Sequence, residues 1–167
     1  LFITDCAMNI SPNLQEKKEI VQNAVDAVNK LGIPMPNVAV LGAIEDVNPA
    51  MEATLHAAAL TQMNRRGQII NCIVDGPLAF DIAVSKDAAK QKGIVSDVAG
   101  NADILLVPTS EVGNAVYKSL TLFGNATVGG VIVGANVPIV LTSRADSIKS
   151  KLFSMAMAVN MSTANEI

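Results

Sequence analysis

The chain has 167 residues, a formal net charge of −3 and a sequence pI near 5.0. That length suits one sizeable domain, or one and a small part of another. The acidic balance, with one Tyr, four Phe and no Trp, excludes nucleic-acid binding as a main task and leaves no base-stacking surface. Half of the residues are hydrophobic and 16% are charged, so a large core is within reach, yet no apolar run attains the roughly 18 residues needed to span a bilayer.

The pattern alternates strand and helix. Leu1–Thr4 reads as a strand, and Ser11-Pro12 as the cap and first-turn proline of a helix. That helix carries Ile20, Val21, Ala24, Val25, Val28 and Leu31 at helical spacing and ends at Gly32. Val38–Leu41 is a continuous apolar strand, and a second helix starts at Asn48-Pro49 and stops at Gly67. Ile69–Val74 is the third predicted strand, followed by a turn at Asp75-Gly76-Pro77 and a helix over Phe80–Lys92. Ile104–Val107 and Glu111–Phe123 form the next strand and helix. Val128–Val133 and Ile139–Leu141 are predicted strands, and Ile148–Met161 the final helix.

Strands that are apolar on both faces and separated by helices imply an α/β fold, a largely parallel sheet flanked by helices. Ligands of such sheets bind beyond the carboxyl ends of the strands. That rule selects the loops Asp5–Ser11, Asp75–Asp81, Pro108–Asn114 and Thr142–Ser147. The last of these places Ser143, Arg144 and Asp146 within four residues. A guanidinium grips two phosphate oxygens through its planar fork. Ser147 can cap the next helix, whose free N–H groups attract anions. A phosphate or acyl-phosphate site fits this pattern, and so does a plain capped helix with a surface arginine. Ser110 can cap the helix after Pro108, and Gly113 in its first turn costs about 1 kcal/mol against Ala. A glycine there makes sense if another backbone or a ligand comes close. Asn114 and Lys118 share one face of that helix. Asp75 and Asp81 flank a strand-to-helix turn, where Asp81 also suits the helix dipole.

Other residues read as structural. His56, in an Ala-rich helix, is satisfied or exposed, and Arg65-Arg66 complement a helix C-terminus. Met155, Met157 and Met161 look like core filler. Cys6 and Cys72 read as reduced, buried thiols, as in a cytoplasmic protein. One His and two Cys give no metal-ligand spacing. Neither G-x-G-x-x-G nor a P-loop lysine is present, which disfavours nicotinamide and P-loop nucleotide sites.

Several loops together resemble the phosphate acetyl/butyryltransferase family, closest to its phosphate butyryltransferase (branched-chain phosphotransacylase) side. They are Thr4–Asn9, Asp75–Asp81, Ala102–Pro108, Gly113-Asn114 with Tyr117-Lys118 and Leu120, and Leu141–Ser147. The resemblance runs in order over essentially the whole chain. It implies reversible transfer of a short or branched acyl group between CoA and inorganic phosphate. It also implies an isocitrate/isopropylmalate dehydrogenase-like fold with its N-terminal part missing here. Residues 1–134 would be the middle domain, and 135–167 a segment returning to the absent N-terminal domain. By resemblance Ser143 stabilises the tetrahedral intermediate, Arg144 binds phosphate, and Asp146 is the nearest substitute for a thiol base. Asn114, Lys118 and Asp81 are the expected substrate-binding residues. Acetyl-specific relatives carry an aspartate base where this chain has Ser150, and an arginine where it has Leu122. Losing that arginine charge suits a roomier, apolar acyl pocket. The expected substrates are acyl-CoA and phosphate, with no metal or redox cofactor, in a cytoplasmic homo-oligomer. Two alternatives stand beside this: a transferase using acyl carrier protein, and a non-catalytic acyl-CoA-binding or oligomerisation fragment.

Overall fold

A computed structural model of the chain describes residues 1–144 and 146–163. Strand β1 (Phe2–Thr4) leads to helix α1 (Leu14–Lys30), and β2 (Asn37–Leu41) to α2 (Glu52–Arg65). Strand β3 (Ile73–Leu78) is followed by two short helices, α3 (Phe80–Val84) and α4 (Lys86–Gln91). Strand β4 (Ile104–Leu106), α5 (Ser110–Leu122) and α6 (Ile148–Thr163) complete the order.

The four strands form one parallel sheet in the order β1-β4-β2-β3. Successive side chains on a strand point to opposite faces, and both faces here are buried. Val38, Val40, Ile104 and Leu106 face Val21, Val25, Val28 and Leu60 of α1 and α2. Ala39, Leu41 and Leu105 face Ile82, Ala83 and Ala89 of α3 and α4, with Val98 and Ala99. The result is helices on both faces of a parallel sheet, as the apolar runs imply.

Several boundaries differ from the sequence reading. Helix α1 starts after Asn13, not at Ser11-Pro12: the Asn13 side chain accepts from Glu16 N–H at 3.0 Å, and Glu16 accepts from Asn13 N–H at 2.7 Å. This reciprocal capping box satisfies two of the free amides, and Pro12 stays outside the helix. Helix α2 begins at Glu52 rather than at Asn48-Pro49, and Asn48 makes a turn capping Ala50 N–H. Strand β3 begins four residues later than expected and runs through Asp75-Gly76-Pro77. Being the edge strand, it tolerates a proline without an N–H. Ile69 and Cys72 are buried all the same, in a loop whose polar groups are satisfied by Asn64: its side chain donates to Ile69 O and Cys72 O and accepts from Val74 N–H. The register between Ala39/Asp75 and Leu41/Leu78 gains one residue on β3. Gly76 sits there because a Cβ would lie 2.7 Å from Val40 O.

The helix over Phe80–Lys92 is broken at Ser85, whose hydroxyl caps Ala88 N–H at 3.2 Å. No strand forms at 128–133 or 139–141. Ile132 and Ile139 make a single antiparallel bridge, and this segment leans on α6, where Ser154 Oγ accepts from Gly130 N–H. Of the three methionines read as core filler, only Met161 is buried, while Met155 is 53% exposed.

Candidate active site at the strand tips

The neighbouring strands β1 and β4 end side by side, so the loops that leave them meet. Val107 N–H donates to Thr4 O at 2.8 Å, and Ser110 N–H donates to Ile10 O at 3.0 Å. Asp5 folds the first loop around itself, accepting the N–H groups of Ala7, Met8 and Asn9 and the Asn9 side-chain amide. Burial pushes the Asp5 carboxyl up, but these donors outweigh it and hold it below the usual carboxylate range. Gly113 lies in the first turn of α5 against this loop, where a Cβ would fall 2.8 Å from Cys6 Cα and 2.9 Å from Asp5 O. The close backbone approach expected of that glycine is therefore present. Helix α5 begins after Thr109, which makes no side-chain cap, so the capping expected of Ser110 does not occur.

One turn further along α5, Tyr117 reaches the segment that precedes α6. Its hydroxyl donates to Asp146 Oδ1 at 2.7 Å, while Asp146 Oδ2 accepts from Ser143 N–H at 2.7 Å. One carboxylate thus ties the Ser143 loop to α5. Burial, then the hydrogen bond and charge of Asp146, push the Tyr117 phenol up to about 12. Cys6 stands close enough to contribute as well. Burial, with Asp5 nearby, pushes its own thiol up to about 11, so the thiol stays protonated at neutral pH. The Lys118 ammonium lies 4.6 Å from the centre of the Tyr117 ring. Ser147 caps α6 by accepting Ser150 N–H at 3.1 Å, as its position suggested.

Of the expected site residues, Ser143 and Asp146 come together, and Lys118 joins them through Tyr117. Arg144 is exposed in the same turn and has no ion pair among the described residues. Asn114 is exposed on α5, one turn before Lys118. Asp81 is not tied to this cluster. It lies on α3 and pairs with Lys92 at 3.5 Å, which also reaches Glu45 at 3.8 Å. Asp75 sits inside β3 rather than at its tip, with its carboxylate on the N–H of Gly76. Ser150 is buried and hydrogen-bonded to Ser147. Leu122 is 72% exposed at the end of α5.

Two functional-looking groups escaped the residue-by-residue reading. Tyr117 entered only as part of a motif, although it is the single tyrosine in a chain poor in aromatics. Lys17 is 4% exposed, with its ammonium 3.0 Å from His56 Nδ1. A lysine in an amphipathic helix gives no sign in sequence that it will be buried. Among the described residues no group of three His, Cys, Asp or Glu is placed to hold a metal ion, and no helix is long and apolar enough to cross a membrane.

A family model described as phosphate acetyl/butaryl transferase matches residues 1–159. The chain is 61% identical to the probable phosphate butyryltransferase of Bacillus subtilis, over 95% of this chain and 53% of that protein. It is 51% identical to the phosphate acetyltransferase of Thermotoga maritima, over 95% of this chain and 54% of the other. A crystal structure of a branched-chain phosphotransacylase from Enterococcus faecalis superposes with a TM-score of 0.89 at 47% identity, covering 95% of this chain and 57% of that one. The chain thus spans about half the length of the relatives it matches. A parallel sheet flanked by helices, the converging loops of β1 and β4, and a match over nearly all of its length agree: the chain belongs to the phosphate acetyl/butyryl transferase family.

Proposed function

We propose that the protein carrying this chain is a phosphate acyltransferase that moves a short or branched acyl group reversibly between CoA and inorganic phosphate. The observation that carries this reading is the Ser143–Asp146 turn beside α5, with an exposed guanidinium in it that has no ion pair among the described residues. Arg144 would hold inorganic phosphate or the phosphate of the acyl phosphate as a bidentate cation. In the forward direction a phosphate oxygen attacks the thioester carbonyl carbon. The C–S bond breaks, a C–O bond forms, and the thiolate leaves and takes up a proton. The Ser143 hydroxyl would donate to the oxyanion that develops on the carbonyl. In reverse, the CoA thiol, with an ordinary pKa of about 8.5, must lose its proton before it attacks. Asp146 is the group we assign to carry that proton, and Asn114 and Lys118 would contact the substrates. Asp81 is proposed as a more peripheral contact, since its partner is Lys92. Residues 135–167 would dock on the remainder of a longer, isocitrate dehydrogenase-like two-domain chain. The exposed apolar side chains of α6, such as Leu152, Phe153 and Val159, support that arrangement.

The test is an assay of acyl-phosphate formation from butyryl-CoA and phosphate, run on the chain and on a version extended to the length of its relatives. The reading expects activity in the extended protein, and Ser143→Ala should lower kcat by about a hundredfold, the usual order for losing an oxyanion donor. Turnover with acyl carrier protein thioesters but not with CoA thioesters would favour the carrier-protein transferase. Binding of acyl-CoA without turnover would favour a non-catalytic domain.

A further inference from the structure

We infer that Tyr117 is a positioning residue for the Ser143–Asp146 turn, a role that rests on the acyltransferase reading above. The geometry is specific. The phenol occupies one Asp146 oxygen at 2.7 Å and the Ser143 amide occupies the other at 2.7 Å, so the carboxylate is held at both ends. Residues 141–144 and 146–147 carry no regular secondary structure, so the backbone there has no ladder of its own to fix it. The rigid partner is α5, whose N-terminal turn is locked against Cys6 and Asp5 through Gly113. Tyr117 stands four residues beyond Gly113, one helical turn away, and transmits that fixed position to the turn. The Lys118 ammonium also lies over the ring, 4.6 Å from its centre. An oxyanion donor and a proton carrier act only if held within a fraction of an ångström of the productive geometry. Here the Tyr117 phenol supplies that restraint through Asp146.

Tyr117 is the sole tyrosine and the chain has no tryptophan, so the fluorescence of the chain reports this phenol alone. A carboxylate that accepts a phenol proton quenches its emission. Asp146→Ala should therefore brighten the emission of the folded chain, and unchanged emission would overturn the contact. Kinetics test the role, in the protein extended to the length of its relatives and with butyryl-CoA and phosphate as substrates. Tyr117→Phe keeps the ring under Lys118 and removes only the oxygen. It should lower kcat about tenfold or more, the order expected for a hydrogen bond to a charged group. The KM for phosphate should stay within about twofold, since Arg144 is untouched, and Tyr117→Phe should add nothing to the loss already caused by Asp146→Ala. Losses that multiply in the double variant, or an unchanged kcat in Tyr117→Phe, would overturn the inference and leave the roles of Ser143 and Arg144 standing. Absence of acyl-phosphate formation by the unsubstituted extended protein would remove the reading itself, and this inference with it.

Discussion

Lys17 on α1 is buried, and its ammonium lies 3.0 Å from Nδ1 of His56 on α2. Burial lowers the pKa of the Lys17 ammonium, opposed by Glu52 one turn from His56 on α2. Burial and then the Lys17 charge lower that of His56, again opposed by Glu52. The imidazole acts as acceptor only while neutral, so a proton on it sets two cations against each other. The folded state thus binds that proton less readily than the unfolded state. The His56 contribution is complete above the ordinary histidine value and is lost as the pH falls below it toward the depressed folded value. Since His56 is the single histidine, one imidazole resonance reports the titration. Proton NMR should show it titrating below 6.5 in the parent chain and closer to 6.5 in Lys17→Met. A titration indifferent to Lys17→Met would disprove the coupling.

Elements with strong periodicity were legible in the sequence: α1, α2, α5 and α6, and the central strands β2 and β4, form on the predicted runs, although α1 and α2 start a few residues later than the pattern puts them. The departures have local causes. The run Ile69–Val74 has the composition of a strand, but Asn64 satisfies its backbone from the side and the ladder begins only at Ile73. Ser85 caps a new helix in the middle of an expected one. Val128–Val133 and Ile139–Leu141 are β-prone yet share no edge with the sheet, whose neighbours are already fixed as β1-β4-β2-β3. Energetically the elements are unequal as well. Leu105 is fully buried on a central strand, whereas Leu152 on α6 is 60% exposed. In urea unfolding of this chain, Leu105→Ala should cost about 2–5 kcal/mol, while Leu152→Ala should stay within about 0.5 kcal/mol. Similar costs at both positions would mean that the outer face of α6 is covered in solution.

At the scale of the molecule, the parallel sheet sends the loops of β1 and β4 to one end, and α5 carries that end to the segment before α6. Sequence pattern identified the Ser143–Asp146 turn because a hydroxyl, a guanidinium and a carboxylate crowd into four residues after an apolar run. It missed how the turn is held, since a phenol 29 residues upstream does the holding and spacing says nothing about such a pair. The resemblance also put Asp81 among the substrate-binding residues; in the structure it pairs with Lys92 and is not tied to the turn. The part of the account that concerns phosphate depends on one side chain, Arg144. The deciding measurement is the KM for phosphate of Arg144→Ala against the parent, in the protein extended to the length of its relatives, with butyryl-CoA saturating. The account predicts a rise of about tenfold or more, the order expected from losing a charge-assisted bidentate contact. An unchanged phosphate KM in a folded, active Arg144→Ala protein would contradict it.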